Sequence, residues 1–193
     1  MYLKLICLVL ITTILFSSGG YDNGTSAGKG KWDLSLTLNP FNYFAQGQSY
    51  LILGYGLTDQ FDIHGYYSYF HKGEDNYYFG LFYQFYKSKR LNLSTAIGIR
   101  KYRNQSTTHL FFPQLLYTLK LRDKLSLGGS FVDIRNQSMN NRIGVAEDVF
   151  LMWDLYENDK YKINVTAGVF NPVLWQPSSG NWYPTYSIDI KIK

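Results

Sequence analysis

The chain has 193 residues, of which 18% are aromatic and only 17% charged, with one cysteine and a formal net charge of +5. That length suits a single domain. A charged fraction well below the ~25% of ordinary soluble domains argues against a conventionally ionic surface, and so mild a charge is far from the basic stripe of a nucleic-acid binder.

In chain order, Lys4 precedes an unbroken apolar or hydroxyl run, Leu5 to Phe16, followed by Ser17-Ser18-Gly19-Gly20. This is the pattern of a secretory signal peptide over residues 1–20, cleaved after Gly19 or Gly20. As a helix the run falls short of the roughly 20 residues that cross a bilayer. Cys7 lies early in the run and leaves with it, so the mature chain has neither disulfides nor thiolate metal sites. Loss of Lys4 leaves a charge of +4. Residues 21–30, rich in Gly, Ser, Asn and Thr and without period, read as a flexible lead-in.

From 31 to 193 the chain repeats one pattern, about ten residues alternating apolar with small or polar and then a turn. Trp32-Asp33-Leu34-Ser35-Leu36-Thr37-Leu38 opens the series and Tyr186-Ser187-Ile188-Asp189-Ile190-Lys191-Ile192 closes it. Period-two alternation marks strands with one apolar face. Ten are expected, near 31–39, 48–57, 60–71, 76–86, 91–102, 108–121, 124–135, 142–155, 160–171 and 182–192. The connections alternate in length. Residues 58–59, 87–90, 122–123 and 156–159 are tight; 40–47, 72–75, 103–107, 136–141 and 172–181 are mostly longer. Antiparallel strands place all tight turns at one end and all longer connections at the other.

Alternation alone leaves open whether the apolar face meets a dry core or lipid. One face carries Leu34, Leu36, Leu38, Leu51, Leu53, Phe61, Ile63, Phe79, Leu81, Phe85, Ile97, Ile99, Phe111, Leu115, Leu127, Phe131, Leu151, Ile163, Val165, Ile188 and Ile190, with no charge among them. The other carries Ser35, Thr37, Gly54, Gly56, Gly80, Ser94, Ala96, Gly98, Gly128, Ser130 and Gly168 among ionisable or amide groups. A solvated face would be dominated by large charged residues, whereas small ones suit the crowded inside of a narrow barrel. The expectation is therefore an all-β fold, a closed antiparallel up-and-down transmembrane barrel of about ten strands, apolar side outward. Closure satisfies every backbone polar group that hydrocarbon would leave unpaired. Trp32, Tyr69, Tyr77, Tyr86, Trp153, Tyr161 and Trp182 fall near strand ends, where interfacial aromatics belong. Two residues sit awkwardly. Glu147 has lipid-facing phase unless a bulge or the rim relieves it, and Pro113 removes a ladder donor, so a bulge is expected there.

With the hairpin Gly54-Tyr55-Gly56-Leu57-Thr58-Asp59-Gln60-Phe61-Asp62 in view, residues 31–193 resemble the small bacterial outer-membrane β-barrel proteins. The resemblance implies an outer-membrane location, monomeric, with membrane lipid as partner. Such barrels commonly end in an aromatic residue, whereas this chain ends Ile192-Lys193.

The pore-lining candidates are Asp33, Asp62, His64, Gln84, Arg100, Gln114, Asp148, Lys162 and Asp189. Charges of both signs there either line a narrow channel for ions or small solutes or pair into a plug. Arg100, Lys101, Arg103, Arg135 and Arg142 gather at the long-loop rim, where they could meet lipopolysaccharide phosphates. No cofactor, metal or nucleic-acid partner is expected. The main expectation is a non-enzymatic channel or structural membrane protein. An exported soluble barrel holding an apolar ligand, which needs the Leu/Phe/Tyr face inside, is one alternative. A membrane-embedded lipid hydrolase or acyltransferase using His64, His71 or His109 as base is the other.

Overall fold

The structure, a computed structural model, describes residues 23–38, 48–70, 75–103, 106–136, 141–171 and 182–193. The expected signal peptide, residues 21–22, connections 40–47 and 172–181, and His71 lie outside the described residues, as do the side chains of Leu38 and Tyr69.

Ten strands follow one another: β1 (Trp32–Leu38), β2 (Gln48–Gly56), β3 (Phe61–Phe70), β4 (Asn76–Lys87), β5 (Leu91–Tyr102), β6 (Thr108–Arg122), β7 (Leu125–Asn136), β8 (Asn141–Glu157), β9 (Tyr161–Asn171) and β10 (Tyr183–Ile192). Each lies within two residues of its expected span. Every strand pairs antiparallel with its chain neighbours, and β1 pairs with β10 from Trp32↔Ile192 to Leu38↔Tyr186, closing the barrel. No edge is left to template association.

The apolar face points outward. Leu53, Leu34, Ile190 and Ile163 form one continuous row across β2, β1, β10 and β9. Leu36 is 44% and Phe79 58% exposed, with Leu51, Leu81, Ile97, Leu115, Phe131, Leu151 and Ile188 likewise on the exterior. The soluble-barrel alternative needed these side chains to converge inside, and the geometry overturns it. Trp32, Tyr86, Trp153 and Tyr161 ring the tight-turn end, and Tyr77 and Trp182 the other. Trp32 leans on Tyr55 (4.7 Å between ring centroids) and Phe61 stacks on Tyr83 (4.4 Å).

Phe111 is a correction to the outward set. Across β6–β7 the pairing steps from Phe111↔Ile134 to Gln114↔Val132, an extra residue on β6 at the expected Pro113 bulge. The extra residue shifts the phase, so Phe112 is exposed while Phe111 packs inside against Val132, Ile134 and Ala146. Glu147 keeps its outward phase opposite Phe131, but its β9 partner is Asn171, the last residue of that strand. Its β7 partner Phe131 stands mid-strand, so on that side the charge lies well within the sheet, and no bulge turns it away.

The interior holds large side chains as well as small ones. Phe82, Ala96 and Leu116 form a wholly buried cluster, and Tyr50, Ile52, Tyr78 and Phe150 are also buried. The inward glycines make room for them. A Cβ on Gly80 or Gly98 would run into the Tyr78 ring, and one on Gly128 or Gly168 into Phe150. Large and small residues alternate across neighbouring strands, which is how a narrow barrel fills its cross-section.

Candidate functional site

All the pore-lining candidates share the inward phase of their strands, and the structure separates them into three levels. At the tight-turn end stand Asp33, Asp62, Gln84, Lys162 and Asp189. Asp189 accepts hydrogen bonds from Ser35 Oγ, a very short one, and from Ser187 Oγ at 3.1 Å. Lys191, which shares Asp189's parity but escaped the sequence reading, lies 3.8 Å from Asp33. Lys162 pairs with Asp154 at 2.7 Å. Midway, Asp148 accepts the Ser130 amide at 2.5 Å. Two residues beyond Asp62 on β3, His64 Nε2 lies 3.0 Å from the Tyr78 hydroxyl, and Gln114 Nε2 donates to that hydroxyl at 3.2 Å. Arg100 stands beside them on β5.

Residues 23–31 enter this interior at the tight-turn end. The segment is aperiodic, with Ala27 its one apolar side chain; it meets the sheet in an isolated bridge from Lys29 to Gly56, and its preceding backbone polar groups are met largely by barrel side chains. The Gly24 amide donates to Thr118 Oγ1 (2.9 Å) and its carbonyl accepts from Ser94 Oγ (2.7 Å). The Ser26 amide donates to Gln84 Oε1 (3.2 Å), and the Ser26 carbonyl accepts from Lys191 Nζ (2.8 Å). The Ala27 amide donates to Asp62 Oδ2 (2.7 Å). Gly28 and Gly30 then adopt positive φ (88° and 73°), turning the chain past Gly56 into β1. These conformations favour glycine. The segment therefore straps the mouth from β6 across β5, β4 and β3 to β1.

Beside the strap is a polar vestibule of about 210 Å³, lined among others by Asp33, Asp154, Lys162, Asn164, Asp189 and Lys191. Its paired charges and amides can hold water and small ions. Among the described residues no group of His, Cys, Asp and Glu is arranged to hold a metal.

The rim residues do not form one patch. Arg100 is corrected: it lies between outward Ile99 and Lys101, so alternation turns its side chain inward, where it is 5% exposed. Lys101 and Arg103 are exposed on the rim, Arg103 near Asp75 at 3.6 Å. Arg135 and Arg142, on β7 and β8, both bind Asp133, at 3.1 and 2.9 Å. Of the histidines, His64 and His109 lie among the described residues, with Tyr78 and Arg100 as neighbours respectively. The carboxylate two residues before His64 is engaged by the Ala27 amide, and His109 Nδ1 faces Arg100 NH2 at 3.2 Å. A base needs an orienting acceptor, not a guanidinium, on that nitrogen.

No family model matches the sequence, and no curated protein matches it. Among solved structures the chain is similar to the KdgM porin and to the KdgM porin in complex with disordered oligogalacturonate. Each has a TM-score of 0.48 and 10% sequence identity, covering 84% of this chain and 98% of that one.

Proposed function

We propose that this protein is a monomeric outer-membrane β-barrel acting as a narrow channel for ions or small solutes, exported by its signal peptide. In this reading the tight turns and both termini face the periplasm and the longer loops face outward. The apolar exterior supports the membrane placement, since a contiguous exposed apolar band is far larger than a soluble monomer carries.

The observation that carries the channel reading is the nature of the tight-turn closure. It is a separate segment, residues 23–31, seated by hydrogen bonds on interior side chains beside a polar vestibule. Apart from the isolated Lys29–Gly56 bridge, such a segment can leave without breaking strand pairing. A second, purely structural reading is favoured by the wholly buried Phe82–Ala96–Leu116 cluster inside the barrel. At the outer rim, Lys101, Arg103, Arg135 and Arg142 supply guanidinium and ammonium donors for lipopolysaccharide phosphates, just above outward Phe131 and Tyr77.

Planar-bilayer recordings of the refolded mature protein, with and without residues 21–30, separate the two readings. The channel reading expects small, intermittent conductance from the full chain and a several-fold larger one after deletion. Silence from both, with heat-modifiable migration confirming a folded barrel, establishes the structural reading instead.

A further inference from the structure

Arg100 is a buried interior base for which the described residues provide no carboxylate within 4.0 Å. Lys191 has Asp33 and Lys162 has Asp154. The Arg100 guanidinium lies 5.1 Å from the Tyr102 ring centroid and 4.8 Å from that of Phe111. It also reaches His109 Nδ1 and the Tyr66 hydroxyl. These partners are neutral. Arg100 Nε, buried, has no hydrogen-bond partner among the described residues. Ring faces offset little of the desolvation of a cation that stays charged under all ordinary conditions.

The neighbours of Arg100 have the complementary deficit. Register places Tyr66, Tyr78, Arg100 and His109 in one inward row across β3 to β6, and Ser68, Asn76 and Tyr102 in the next row toward the long loops. Ser68 and Asn76 are both fully buried, and among the described residues Ser68 Oγ and both amide atoms of Asn76 lack partners. Buried polar atoms are almost always satisfied. Here unused polar groups stand in the row next to an unneutralised guanidinium; of the buried acids, Asp33, Asp62 and Asp189 lie at the opposite, tight-turn end, Asp148 accepts the Ser130 amide, and Asp75 accepts from Tyr67 and faces Arg103.

We propose that Arg100, Asn76 and Ser68 form an interior binding site for a compact oxyanion, a carboxylate or a phosphate. Two oxygens of such an ion match the fork of Nε and a terminal nitrogen, and the amide and hydroxyl donors close around the remainder. The inference deepens the channel reading by giving the preferred solute a charge sign, and it rests on that reading only for how the anion arrives.

The test uses mature protein refolded in detergent micelles, with heat-modifiable migration as the check of folding. Arginine Nε–H resonances and thermal midpoint are followed as sodium acetate or sodium phosphate replaces sodium chloride at constant ionic strength. One Nε–H signal, missing in Arg100→Lys, should move downfield and saturate, and the midpoint should rise. Arg100→Lys and Asn76→Leu should each weaken the apparent affinity about tenfold. A response to acetate alone identifies the ligand as a carboxylate and one to phosphate alone as a phosphate; both support the site. No saturable response to either ion, or an equal response in Arg100→Lys and wild type, overturns it. Saturable binding by a protein silent in bilayers upholds the site and removes the channel. Conductance without binding does the reverse.

Discussion

The Ala27 amide donates a 2.7 Å hydrogen bond to the carboxylate of Asp62, 35 residues away and on the interior wall of β3. That bond is one of the strap's charge-assisted ties, with those from the Lys191 ammonium to the Ser26 carbonyl and from the Lys29 amide to the Asp59 carboxylate, whereas Gln84, Thr118 and Ser94 are neutral partners. Asp62→Asn keeps an acceptor but removes the charge, weakening the strap by about 1 kcal/mol. Trypsin cleavage after Lys29 or Lys31 in micelles should quicken several-fold, with the barrel core still protected. Unchanged cleavage would show that Asp62 does not hold the segment.

Gly56 lies directly beneath the strap, and a Cβ there would overlap the Gly28 carbonyl. Gly56→Ala must therefore displace one backbone from the other, at a cost of roughly 1–3 kcal/mol as in other overpacked sites. Its effect on strap proteolysis should match or exceed that of Asp62→Asn, while heat-modifiable migration stays intact. Slower cleavage would contradict this packing.

The outward belt is tested by charge. Phe79→Arg or Leu81→Arg places a base on the exposed apolar face, costing about 2–4 kcal/mol near the bilayer midplane. Urea titrations of folding into vesicles should show it, and the same substitutions should cost much less in a flexible micelle. Equal costs in both would argue against a lipid-facing surface.

At the tight-turn rim, beyond the apolar belt, Lys193 Nζ donates to Glu157 Oε1 at 2.7 Å. That hydrogen bond holds the Glu157 carboxyl below its ordinary value. A depressed folded value means the stabilisation is complete above the ordinary carboxyl value of 4.5 and fades as pH falls below it. The pair is exposed, so the effect stays under about 1 kcal/mol. Amide exchange at Lys193, whose N–H donates to Lys160, should accelerate below pH 4.5 relative to Glu157→Gln. Parallel profiles for the two proteins would rule the pair out.

The strand series and its ends were legible because a two-residue period and turn chemistry are local properties. Leu34, Leu36, Ile188 and Ile190 announce an apolar face without any partner in view, and the small residues opposite them told which side was crowded. The Pro113 bulge was readable too, since a missing N–H is written in the residue itself. Its consequence was not. Whether one extra residue turns Phe111 inward depends on where pairing resumes on β7, and only the register with Ile134 and Val132 shows that.

Interior chemistry was legible as a list and hidden as an arrangement. Alternation put Asp33, Asp62, Arg100 and Asp189 inside, but charge pairing depends on height along the barrel and on which strands face each other. Arg100, readable from its sequence neighbours as a rim cation, stands without a carboxylate among tyrosines because cross-strand register sets it opposite Tyr78 and His109. The aperiodic stretch before β1 carried no sign of where it would lie. By itself the sequence determined ten alternating strands with an apolar face and a small-residue face, because both are local properties. Tertiary structure alone decided that residues 23–31 occupy the mouth and which buried charges meet, because both depend on contacts between residues far apart in the chain.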